Sequence, residues 1–200
     1  MNTDLLIERL KERLQFAPAV ECDKHCGYCN DAGEVLPTPR PNPPISHADV
    51  DHVERQLGFR LPSLVRRLST EVADGGYGPD WGINRLRHPR NVPFDDYDDA
   101  RMSVEGLHAY FQRDTSPEGQ AWLAACPRHF IRYCEVGCNI SVCVDCTTET
   151  GALFLDDPNL GEDQADCIRL MPESLEEWLW KWLNENEWPS TPYPDVTNIA

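Results

Sequence analysis

Residues 45–86, ISHADVDHVERQLGFRLPSLVRRLSTEVADGGYGPDWGINRL, interleave helix signals with breakers so densely that they dictate two short helices and a turn. Ser46 stands as an N-cap with Asp49 three residues on, the spacing of a capping box. Val50, Val53 and Leu57 fall on one helical face, and Gly58 ends that helix. Pro62 suits the first turn of a second helix, where its missing N–H is no loss. Leu64, Val65, Leu68 and Val72 make the buried face of this second helix. Asp74-Gly75-Gly76 supplies the left-handed geometry that stops it, and a glycine-rich turn then leads into an expected strand.

The flanks are read the same way. Residues 4–16 form an expected amphipathic helix, with Leu6, Leu10 and Leu14 in register and Thr3 placed as N-cap. Residues 36–44, LPTPRPNPP, hold five prolines in nine positions and make a stiff extended connector. This divides the chain into an N-terminal helix and cysteine cluster (1–35), a proline-rich linker (36–44), a main domain (45–185) and a tail (186–200). Asp95, Asp96, Asp98 and Asp99 precede an expected helix running to Phe111, where acids favour the helix dipole. Ile140, Val142 and Val144 alternate with Ser141, Cys143 and Asp145 as a strand does. A turn at Glu149-Thr150-Gly151 and a partner strand from Ala152 to Leu155 complete a hairpin. A last helix from Pro172 to Leu183 lines up Leu175, Trp178, Leu179, Trp182 and Leu183. Helices first, strands in the middle and a closing helix predict an α+β fold.

Composition narrows the partners. Two hundred residues can bury a sizeable core as one domain. The sequence has no apolar run long enough for a membrane span, and its charged N-terminus reads as neither signal peptide nor anchor. The expected compartment is therefore the cytoplasm, where nine cysteines are reduced thiols. A net charge of −16 argues against the phosphate backbone of nucleic acid as a partner. The charge is uneven: residues 141–200 carry thirteen acidic and two basic side chains. Such a surface steers a basic protein, or simply keeps the chain soluble.

The ordered set E-x-x-L-G-x-x-L-P (from Glu54 to Pro62), helix and Gly-Gly turn resembles the SUKH superfamily, which includes the yeast Knr/Smi cell-wall regulators and many bacterial immunity proteins. Arg132 to Cys146, RYCEVGCNISVCVDC, is similar to the later strand region of bacterial members, and PESLEEWLWKWL to their closing helix. The three blocks fall within residues 45–184, and residues 1–44 have no counterpart. The resemblance implies a central twisted, largely antiparallel sheet packed by helices. It also implies a non-enzymatic protein-binding role.

Candidate chemistry is sparse. Cys22, Cys26 and Cys29, in C-x3-C-x2-C spacing around His25, can converge on a zinc ion. Adjacent His25 and Cys26 rarely reach one metal together, so a fourth ligand would come from elsewhere, or the segment is a cysteine loop packed on the domain. The radical-SAM enzymes share this spacing, but the repeating strand–helix pattern of their barrel is missing. Cys143 and Cys146 differ by an odd number on a strand, so they face opposite ways and read as buried hydrophobes, like Cys134 and Cys138. No cysteine–histidine pair sits at a nucleophile elbow. The expectation is an immunity protein that neutralises a basic toxin, such as a nuclease, by direct binding through Asp95, Asp96, Asp98 and Asp99. The alternatives are a regulatory or scaffold protein with an endogenous partner, and a zinc-binding accessory protein.

Overall fold

The computed structural model describes residues 2–16, 41–79, 82–88, 103–137, 139–161 and 164–185. These form an α+β fold with six helices and a four-stranded antiparallel sheet. The helices are α1 (Thr3–Phe16), α2 (His47–Leu57), α3 (Ser63–Arg67), α4 (Val104–Arg113), α5 (Pro117–Ala125) and α6 (Leu175–Glu185). The strands β1 (Phe130–Gly137), β2 (Ile140–Asp145), β3 (Ala152–Asp156) and β4 (Ile168–Ser174) lie side by side in chain order. No helix among the described residues is long and apolar enough to cross a membrane.

The α2–α3 block folds as its breakers dictate. Ser46 and Asp49 close a full capping box, and Gly58 takes the left-handed conformation at φ 79°. Beyond α3 the helix widens into a π-helical turn, Leu68–Val72, before Ala73 extends. The Ser69 carbonyl there accepts the Ile45 N–H at 3.0 Å, tying the domain entry to the helix. Gly75 is required twice over. Its φ is 73°, and a Cβ would stand 2.5 Å from the Arg85 nitrogen.

The expected strand after this turn does not form. Residues 82–86 make only isolated bridges, Ile83 to Cys134 and Arg85 to Ser103. The Asp74 side chain takes the Leu86 N–H at 2.8 Å, which leaves that segment paired to a loop as much as to the sheet. Three other boundaries differ. Asn2, not Thr3, caps α1, accepting from the Asp4 and Leu5 N–H groups. Pro172 does not open the last helix: residues 168–174 are an edge strand whose register slips around the proline, as a residue without an N–H permits. Ser174 and Glu177 then form the capping box that starts α6. The sequence pattern also passed over α5, capped by Ser116 with Pro117 in its first turn.

The sheet is covered on both faces. Ile131, Tyr133, Val142, Val144, Leu153 and Leu155 join the main core with Val50, Val53, Leu64, Val65 and the α6 residues Leu175, Trp178 and Leu179. On the other face Cys143 and Phe154 pack with Trp122 and Cys126 in a smaller cluster. The expected opposition of Cys143 and Cys146 is observed, since Cys146 packs against the main core. In β1 the register slips at Tyr133, so Tyr133 and Cys134 both reach the main core where strict alternation would part them.

Helix α1 belongs to this same core although the proline-rich linker separates it in sequence. Leu6, Ile7 and Leu10 are fully buried, and Arg13 lies over the Trp182 ring at 4.2 Å while donating to the last carbonyls of α6.

Candidate functional site

The residues that carry the family resemblance build a joint. Glu54 is buried on α2, and its carboxylate accepts the Leu61 N–H at 2.9 Å. Arg60 and Arg66 pair with its other oxygen at 2.6 Å each. Burial pushes the Glu54 carboxyl up, but the bonds from Arg66, the Leu61 N–H and Arg60 outweigh it and hold the group below its ordinary value. The glutamate of E-x-x-L-G-x-x-L-P thus pins the turn that Gly58 begins and Pro62 ends. Glu149, from the β2–β3 turn, reaches across to accept the Ser63 N–H at the start of α3.

A cleft of about 290 Å³ opens beside this joint, between the Phe59 turn, α4, α5 and the start of β1. Helix α4 supplies it because Ser103 caps it and its apolar stripe, Val104, Leu107 and Phe111, turns toward β1. Phe59 stacks on His129 (centroids 4.9 Å apart, planes 12° apart) and meets His108 edge-on at 5.9 Å. Burial lowers the His108 pKa, so its imidazole is neutral at neutral pH.

The floor is a buried polar network. Arg132 donates to Asp156 at 2.7 Å, and the Trp122 indole N–H donates to the other oxygen of Asp156 at 3.1 Å. The guanidinium also lies near the Phe111 and Trp122 rings, at 5.5 and 5.7 Å. At the mouth, Arg128 is exposed and makes no ion pair or hydrogen bond with the described residues. None of the residues lining the cleft is acidic among those described.

The nearby thiols are not poised to react. Burial pushes Cys126 up to about 12 and Cys143 well above the ordinary range, so both remain protonated. Among the described residues no group of histidines, cysteines and carboxylates has the arrangement of a metal site. The sequence-predicted Cys22, Cys26 and Cys29, and Asp95, Asp96, Asp98 and Asp99, lie outside the described residues.

Sequence reasoning missed the cleft. Phe59, His108 and Arg128 belong to no motif that sets them apart in the sequence. The available signal was Arg132, a charge set between apolar Ile131 and Tyr133 in a segment whose other charge is Glu135, and such a charge requires a partner when buried. No protein-family model matches the chain, and no curated protein or solved structure matches it either.

Proposed function

We propose that this chain is a non-enzymatic protein-binding domain that neutralises a basic toxin by direct binding, as an immunity protein does. The observation that carries this reading is the uncompensated acid on its surface. Among the described residues the cations are largely occupied: Arg66 by Glu54 and Asp51, Arg67 by Glu71 and Asp4, Arg87 by Asp49, and Lys181 by Glu173. Glu118, Glu149 and Asp166 stand exposed with no cationic partner among those residues. Asp95, Asp96, Asp98 and Asp99 add four more carboxylates in five positions. Such a field raises the encounter rate with a positively charged partner and repels nucleic acid. The SUKH resemblance supports the same role, and the joint at Glu54 accounts for its motif as architecture and leaves contact to the acidic surface.

The test is co-expression with toxin domains encoded beside this chain's gene, followed by stopped-flow association of the pair that protects cells. Charge attraction is screened over about 10 Å at 0.1 M salt, so the on-rate should fall steeply as salt rises. Replacing Asp95, Asp96, Asp98 and Asp99 together with asparagine should slow association while leaving the circular dichroism unchanged. A rate indifferent to both salt and the substitutions overturns the electrostatic reading. Failure of every neighbouring toxin, with capture of an endogenous protein instead, favours a regulatory scaffold.

A further inference from the structure

We infer that the cleft beside Phe59 is a binding site for a small aromatic carboxylate, its ring held against Phe59, Phe111 and Phe130 and its carboxylate on Arg128. Three observations point there. The first is charge. In a chain with 34 acidic residues, the described lining of this cleft carries none, and it carries two arginines. The two have different duties. Arg132 is buried and already bound to Asp156, so it shapes the floor. Arg128 stands at the mouth with its donors uncommitted among the described residues, where a guanidinium is suited to the planar fork of a carboxylate.

The second observation is the wall. Phe130 belongs to a run of edge-to-face rings, 5.4 Å from Trp122 and 5.7 Å from Phe154, and Phe111 sits 4.6 Å from Trp122. These contacts hold the rings in place before any ligand arrives, which lowers the ordering cost of binding. His108 and Gln112 add polar groups at the side. The neutral imidazole offers one N–H without demanding a second anion.

The third is size. About 290 Å³ stands at the small end of ligand cavities, enough for a one- or two-ring acid. A protein interface of about 800 Å² per partner requires far more surface, so the cleft fits a free acid better than a docked protein. The inference does not rest on the acidic residues proposed to bind a toxin, and failure of either leaves the other standing.

The probe is 2-naphthoate, titrated against the full-length protein and followed by amide chemical shifts and calorimetry. A saturable 1:1 site with a Kd on the order of 0.1–1 mM is expected from a ligand of this size. The uncharged 2-naphthamide and the cationic 2-naphthylmethylamine should bind more weakly. Arg128→Gln, an exposed change that leaves the core intact, should weaken naphthoate about threefold to tenfold and leave the amide unchanged. Phe59→Leu should weaken both. Absence of saturable binding overturns the inference, as does equal affinity for all three probes, which marks a merely apolar cleft. A short peptide ending in phenylalanine with a free carboxylate is the last arm. Binding much tighter than naphthoate would assign the site to a protein C-terminus and overturn the small-acid reading.

Discussion

Arg132 on β1 and Asp156 on β3 meet at 2.7 Å across the intervening strand β2, both buried. The pair ties together two strands that are not neighbours in the sheet, and it brings the Trp122 indole of α5 into the same network. Breaking one partner strands the other in a low-dielectric site. Asp156→Ala should therefore cost about 3–5 kcal/mol in urea unfolding. The double variant Arg132→Met, Asp156→Leu removes both charges and should cost less than the single change. A double variant worse than Asp156→Ala would mean that the pair is not the source of the loss.

Asp74 gives the fold a pH dependence of known sign. Burial raises its pKa from 3.8 to about 6, partly offset by the Leu86 N–H and by Arg85. Between those values the folded chain holds a proton that the unfolded chain has released. Its contribution is thus fully present below pH 4 and is lost as pH rises through 6. Asp74→Asn keeps an acceptor for the Leu86 N–H without the charge. The variant should gain about 2–3 kcal/mol relative to the parent between pH 4 and 7. Parallel stability curves over that range would show that Asp74 does not titrate there.

Trp178 is fully buried on α6, whereas Trp180 lies off the stripe and is partly buried. Trp178→Ala should cost about 3–5 kcal/mol, the range for emptying an aromatic site. Trp180→Ala should cost clearly less by the same denaturant measurement. Equal losses would show that both faces of α6 bear on the core.

Cys22, Cys26 and Cys29 are tested by elemental analysis of protein purified without chelator. A zinc site predicts one zinc per chain, lost in the triple serine variant, and a stability that falls on metal removal. Full zinc in that variant would place the metal elsewhere. Zinc-free protein of unchanged stability is the outcome for a cysteine loop that only packs on the domain.

The sequence by itself determined what nearest neighbours along the chain control. The capping box at Ser46 and Asp49, the left-handed stop at Gly58, the hairpin from Ile140 to Leu155 and the stripe of α6 were legible because backbone dihedrals and side-chain periodicity act over a few residues. The same parity separated Cys143 from Cys146. The tertiary structure alone decided the rest. Glu54 reads as a solvated helix acid until Leu61, Arg60 and Arg66 converge on it, and Arg132 has no visible partner until β3 brings Asp156 to it from 24 residues away. The cleft required Phe59, His108, Arg128 and Phe130 to meet from a turn, a helix, a loop and a strand. Such meetings depend on how packed layers settle against one another. Burial turns a charge in the sequence into a demand for a partner, but only the packing decides which residue answers it.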